Sequence, residues 1–332
     1  MASAIAFLVT FAITPRFIAF NERIGLTGTD VHKRNRPRIA ESGGTPVLAG
    51  ALAGSFAFIW LKVFVYGGLP DLSELLAAVS TILIAAFIGL FDDLSVLLKK
   101  IDGRTGFKRI GLPQWVKPLL TLGAALPLMA IMAGDTTMTL PFYGIADLGM
   151  IYPLLLIPLA VMGAANASNM LAGLNGLEAG MGMVILSSMG LFSLASGQPA
   201  AAAIALPMAG ALLGFLIWNW WPAKIMPGDS LPYVIGAAIA TVAVLGNMER
   251  FALLSFAPWF LEFILKARGK LKVEGFGMIQ GDGSLAPPHD RSYSLTHVVM
   301  RMGRLNERQI VMILMLLELS VSAFAWILYW PF

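Results

Sequence analysis

Apolar stretches of about 20 residues, each long enough to cross a bilayer as a helix, recur from one end of this chain to the other. In hydrocarbon every backbone polar group must be satisfied internally, so a stretch of this kind folds as a helix. Hydropathy places the stretches at 2–20, 45–66, 74–91, 113–133, 151–171, 176–195, 200–220, 231–248, 250–267 and 307–330, about ten in all. Charged residues make up 13% of the 332, about half the share of a soluble domain. The expectation is one all-α polytopic membrane domain over 1–332, with a long loop at 268–306 able to hold a small structured element. Met1 to Phe20 has no charged leader or convincing cleavage site and reads as a retained helix.

Loop charge gives the orientation. Ten spans make 21–44, 92–112, 172–175, 221–230 and 268–306 the connections on one face. With the helix ends beside them, these hold every Lys and Arg except Lys62 and Arg250. Basic loops stay in the cytoplasm, so this face is cytoplasmic and both termini lie outside. The net charge of +4 follows from that bias and does not point to nucleic acid. With no cysteine there is neither a disulfide framework nor a thiolate site, and His32, His289 and His297 lack zinc-like spacing. On the outer side, 134–149 alternates as Thr136-Thr137-Met138-Thr139-Leu140 and could form a small β-hairpin.

The polar residues that interrupt this pattern gather at the cytoplasmic boundaries. Asp92 and Asp93 directly follow an apolar run, either as an acidic helix end in water or as a divalent-cation site or general base. Asn166 and Asn169 lie three apart on one helix face, ahead of Gly173, Asn175, Gly176 and Glu178. Their amides could serve as interhelical glue, or meet a uracil edge or a metal without adding charge. Asp229, in Pro227-Gly228-Asp229-Ser230, is placed to cap the helix that follows or to bind a metal–diphosphate complex. Lys117 either snorkels to the membrane edge or neutralises phosphate. Glu41-Ser42-Gly43-Gly44 either caps the second helix or sits beneath a nucleotide. His289 and Arg291 could grip phosphate or sugar oxygens, or belong to a basic loop near anionic lipid.

At these residues the chain resembles the polyprenyl-phosphate N-acetylhexosamine-1-phosphate transferases, and most closely the dolichyl-phosphate GlcNAc-1-phosphotransferase branch. "NASNMLAGLNGLE" at 166–178 carries the resemblance. "FDD" at 91–93, "ESGG" at 41–44, "GDS" at 228–230 and the Pro-x-His loop at 287–291 support it, all in family order. The resemblance implies ten helices around a cytoplasmic active-site groove. It implies transfer of GlcNAc-1-phosphate from UDP-GlcNAc to a polyprenyl phosphate, with release of UMP and a need for Mg²⁺. By motif position, Asn169 and Asp229 would hold the Mg²⁺. Asn175 would contact the uracil, Glu41 the ribose side and Lys117 the diphosphate, while Asn166 and Glu178 of the same motif would belong to the substrate-binding residues. His289 and Arg291 would embrace the phosphates or sugar, and Asp92 and Asp93 would orient or deprotonate the lipid phosphate. The pattern departs from the dolichyl branch where Pro288 and Asp290, rather than basic residues, flank His289.

Two alternatives stand beside this reading. The same chemistry could use another UDP-sugar or undecaprenyl phosphate for cell-wall or surface polysaccharide. A transporter would place its polar sites near the bilayer midplane in paired halves, a pattern the sequence lacks. A prokaryotic plasma membrane and a homodimer are both compatible with the sequence.

Overall fold

The structure is a computed structural model that describes residues 1–101, 111–140 and 144–330. Arg104, Lys108 and Arg109 of the basic connections lie outside the described residues. In chain order, α1 (Ala2–Ile24) leads through a hairpin of β1 (Thr27–Thr29) and β2 (Arg38–Ala40) to α2 (Gly44–Trp60), which ends in a π-helical turn. Next come α3 (Leu72–Ile101), the short α4 (Val116–Ala124) and α5 (Leu126–Ala130), and a second hairpin of β3 (Thr137–Leu140) and β4 (Gly144–Asp147). After α6 (Ile157–Ser168), α7 (Leu177–Ala195), α8 (Pro199–Asn219) and α9 (Ser230–Leu245), the chain breaks into α10 (Glu249–Ser255) and α11 (Ala257–Arg268). The last loop carries β5 (Met278–Ile279), β6 (Leu285–Ala286) and α12 (Leu295–Met300) before α13 (Glu307–Leu328).

Among the described residues, six helices are long and apolar enough to cross a membrane: α1, α2 with its π turn, α3 to Ser95, α7, α8 and α13. Three shorter apolar helical stretches, Val116–Ala130, Tyr152–Ser168 and Ser230–Leu245, pack among them. The protein is thus a mostly helical, polytopic integral membrane protein. The hydropathy reading differs from this in two places. The 113–133 span is broken between α4 and α5, just before Pro127, and the 250–267 span is broken before Pro258, which opens α11. The hairpin expected within 134–149 is present, pairing Thr137 with Asp147.

Every residue of α9 is buried. At 16 residues it is about 24 Å long, short of the hydrocarbon thickness. Enclosed by α2, α3, α6, α7 and α8, it meets protein rather than lipid and need not match the bilayer. Small residues set the packing of the outer helices. Gly50 and Gly54 on α2, and Gly210 and Gly214 on α8, each four apart, grip α1 from two sides. A Cβ on Gly210 would stand 2.3 Å from the Ser3 carbonyl oxygen. The same economy brings α3 against α9, where a Cβ on Gly89 would lie 2.5 Å from Ser230 Cα. Those contacts bring the C-terminal part of α3 beside the start of α9. The starts of α2, α4 and α7 and the end of α6 lie at the same end of the bundle.

Candidate functional site

At that end Lys117, in the first turn of α4, reaches two carboxylates. Its Nζ lies 2.6 Å from Asp92 Oδ2 and 2.8 Å from Asp229 Oδ2. Asp92 is held further by the backbone N–H of Leu112. Neither Asp92 nor Asp93 is a helix end in water: α3 runs on to Ile101, and both side chains are buried. Lys117 is mostly buried as well, so its ammonium is fixed between two acids rather than snorkelled into solvent.

The default reading of Asp229 as a helix cap does not describe this site. It holds the N-cap position of α9, yet its side chain makes no capping hydrogen bond. Asp93 does that work from α3, accepting from Asp229 N at 2.6 Å and Ser230 N at 3.3 Å. The approach needs Gly228, whose φ of +67° suits glycine and whose Cβ would stand 2.4 Å from Asp93 Oδ2. The helix N-terminus is thereby capped from outside, and the Asp229 carboxylate faces Lys117. Likewise no side chain caps α2, which starts behind Gly43. Ser42 instead lies 3.3 Å from Ser230, Oγ to Oγ, and buried Glu41 is anchored through its main chain to Leu26 and Asn21.

The central motif divides its work. Asn166 donates to Thr121 Oγ1 at 2.8 Å, and Thr121 donates to the Lys117 carbonyl at 2.9 Å, so this amide steadies the lysine-bearing turn of α4. Asn169 ends α6 beside Tyr233. Glu178, at the start of α7, accepts from Gly173 N at 3.0 Å and fixes the turn between the two helices. Asn175 points into a second buried cluster. Its Nδ2 donates to Glu307 Oε1 at 2.7 Å and to Asp30 Oδ2 at 3.1 Å, and its Oδ1 accepts from Ala223 N at 3.1 Å.

Sequence reasoning missed the other members of this second cluster. Lys33 Nζ bridges Asp30 Oδ2 at 3.2 Å and Glu307 Oε2 at 2.6 Å. The first loop, the central turn and α13 are joined there. Asp30, His32 and Glu307 bring ligand-type atoms within 4.8 Å of one another. The Lys33 ammonium already bonds to both carboxylates, and His32 Nε2 accepts from Gly277 N at 3.0 Å. Binding a cation through Nδ1 would leave that ring without a proton, so the cluster reads as a structural ion pair. Burial, the largest influence, pushes His32 down to about 4.

His289 and Arg291 are exposed on the last loop, and among the described residues neither makes a hydrogen bond or ion pair with the Lys117 cluster. The His289 ring packs edge-on against Tyr293 and near His297, while Arg301 donates to its carbonyl. Phe276 from the same loop covers the central turn, where a Cβ on Gly173 would meet its ring at 2.4 Å. Buried Glu262 on α11 anchors the loop by accepting from Leu295 N at 2.7 Å.

Two acids and a lysine thus meet at converging helix ends, with the Asn169 amide nearby. The sequence model of glycosyl transferase family 4 matches residues 75–247, just over half the chain. The chain belongs to that family. The matched stretch includes Asp92, Asp93, Lys117, the central motif and Asp229, so the cluster lies within the family's segment of this protein. A Saccharolobus solfataricus protein provisionally named UDP-N-acetylglucosamine–dolichyl-phosphate N-acetylglucosaminephosphotransferase is 34% identical, covering 98% of this chain and 94% of its own. The enzyme of that name from Dictyostelium discoideum is 28% identical over 77% of this chain and 68% of its own. A bacterial family relative is similar too: phospho-N-acetylmuramoyl-pentapeptide-transferase of Bacillus cytotoxicus, 30% identical over 75% of each chain.

Proposed function

We propose that this protein transfers GlcNAc-1-phosphate from UDP-GlcNAc to a polyprenyl phosphate of the dolichyl type, releasing UMP, as the first lipid-linked step of glycan assembly. The observation that carries the reading is the Lys117 ammonium held between Asp92 and Asp229 at the mouth of a membrane-embedded bundle. The names of the relatives supply the substrates. A lipid-phosphate oxygen attacks the sugar-bearing phosphorus of the donor. The bond from that phosphorus to the bridging oxygen breaks, and the oxygen leaves with UMP. Both partners are anions, so the site's first task is to hold them together against their repulsion.

Lys117 offsets charge on the diphosphate. Asp93 and Gly228 hold the start of α9 in place, with Asp229 directed at the reacting groups. Asp92 fixes the Lys117 ammonium and orients the acceptor, and a lipid phosphate already ionised near neutral pH needs little help from a base. An oxygen donor set of Asp229 and the Asn169 amide fits Mg²⁺, which takes one or two carboxylates together with substrate phosphate and water. Mg²⁺ so held would stabilise the charge that develops on the phosphoryl oxygens. Asn175 and Glu178 shape the uracil side, Glu41 the ribose side, and the His289–Arg291 loop closes over the sugar phosphate. The motif end of the bundle is the cytoplasmic face of a ten-span fold in a prokaryotic plasma membrane, with the acceptor chain in a groove between helices.

The Bacillus relative favours a second assignment of the same chemistry, with a different UDP-sugar and undecaprenyl phosphate. A panel of UDP-GlcNAc, UDP-GalNAc and UDP-MurNAc-pentapeptide, crossed with dolichyl and undecaprenyl phosphates, separates the two. The first reading expects the highest kcat/KM for UDP-GlcNAc with dolichyl phosphate. A preference for UDP-MurNAc-pentapeptide with undecaprenyl phosphate overturns it.

A further inference from the structure

Tyr233 lies one helical turn beyond Asp229, so the two share a face of α9. Its ring is among the largest fully buried side chains, with 1% of its surface exposed. The hydroxyl has the Asn169 side chain beside it and feels the charges of Lys117, Asp229 and Asp92. Yet it forms no hydrogen bond of normal geometry among the described residues.

A buried hydroxyl without a partner destabilises a fold, and phenylalanine would fill the same space without that cost. Other hydroxyls in this protein are also unpartnered, including Thr81, Thr241 and Ser255. Those are helical Ser and Thr side chains, one χ1 rotation from a carbonyl on their own helix. Tyr233 cannot turn to a carbonyl of its own helix, because its oxygen sits at the end of a rigid ring. The side chain that interacts with that oxygen is Asn169, of the phosphate-binding group itself. The hydroxyl points at the groups that bind phosphate.

We propose that Tyr233 is a substrate-contacting residue whose hydroxyl donates a hydrogen bond to a phosphoryl oxygen bound between Lys117, Asp229 and Asn169. The proposal rests on the functional reading above, in which that oxygen belongs either to the donor diphosphate or to the lipid phosphate. A neutral donor adds hold on an anion without altering the charge balance among two acids and one lysine.

The test compares the full-length wild-type protein with Tyr233→Phe in detergent, by thermal midpoint, by calorimetric binding of UDP and of a short-chain prenyl phosphate in Mg²⁺, and by UMP release. The expected result is an unchanged or raised midpoint with an activity loss of about 10- to 100-fold, the worth of one hydrogen bond to a charged group. Weaker UDP binding places the contact on the donor. Weaker prenyl phosphate binding places it on the acceptor. A fall in kcat with both affinities intact places it in the transition state. Wild-type affinities and turnover in Tyr233→Phe overturn the proposal. So does a lowered midpoint that accompanies the lost activity, because the hydroxyl is then a structural bond. If the wild type binds both anions but releases no UMP with any donor, the functional reading fails. The binding comparison still decides whether Tyr233 holds phosphate.

Discussion

Asp93 on α3 caps α9 by accepting the backbone N–H groups of Asp229 and Ser230, across 136 residues of sequence. A helix N-terminus is ordinarily capped by its own flanking side chain. Here the flanking side chain, Asp229, is released to pair with Lys117, because a buried acid from another helix has taken its place. Asp93→Ala should therefore act through position: Asp229 swings back to cap α9, and kcat falls about 100-fold or more. Stability should fall by about 1–2 kcal/mol, the worth of a cap. Asp93→Asn, which keeps one acceptor, should recover part of both. Kinetics and thermal midpoints of the two variants check this, and equal kcat in Asp93→Ala and wild type would remove Asp93 from the site.

Lys117→Met leaves Asp92 and Asp229 facing each other without their shared cation. Breaking a buried pair in this way costs about 3–5 kcal/mol, so one or both acids take up a proton. Turnover should fall about 100- to 1000-fold, the usual loss when one donor that stabilises the transition-state charge is removed. Lys117→Arg should remain far below wild type, since a planar guanidinium does not replace a compact ammonium between two carboxylates. Single-turnover rates of UMP release read the difference.

Asn166 acts through Thr121 on the backbone of Lys117. Asn166→Ala should lower kcat about tenfold, the worth of one positioning hydrogen bond, with donor affinity preserved. Thr121→Val should reproduce that loss, and the double variant should add little to either. Full additivity would show that the two side chains act independently.

Much of this arrangement is legible in the sequence, because hydropathy marks helices and motif order marks where their polar ends meet. What escapes it is long-range. The pair Asp92-Asp93 reads as a helix end because charges follow an apolar run, yet α3 continues and buries them. Asp229 reads as a local cap because nothing nearby in sequence announces Asp93. Lys33 is one of several basic residues in the first loop. Its bond to Glu307 spans 274 residues and cannot be told from topology charge. Tyr233 sits inside an apolar run, where a tyrosine looks like core. Asn175 shows the converse: its motif is plain, while its amide is held by Asp30, Glu307 and Ala223 in a way no spacing foretells.

The same second cluster makes stability depend on pH. Burial holds His32 at about 4, against 6.5 for the free side chain, with Asp30, Lys33 and Glu307 facing it. Between those values the unfolded chain binds a proton that the folded one does not. The stability is fully present above about pH 6.5 and is lost as pH falls toward 4, by up to about 3 kcal/mol. Over that window the thermal midpoint of the wild type in detergent should fall relative to that of His32→Gln, which still accepts from Gly277 but takes up no proton. An unchanged slope in the variant would place the acid sensitivity elsewhere.

The central claim is that the Lys117 cluster brings a nucleotide sugar and a lipid phosphate together. The most direct measurement is UMP release by purified protein in detergent, with UDP-GlcNAc, dolichyl phosphate and Mg²⁺ each supplied or withheld. The account predicts UMP only when all three are present, and none from Asp229→Ala. UMP release without the lipid phosphate, or undiminished release by Asp229→Ala, would contradict it.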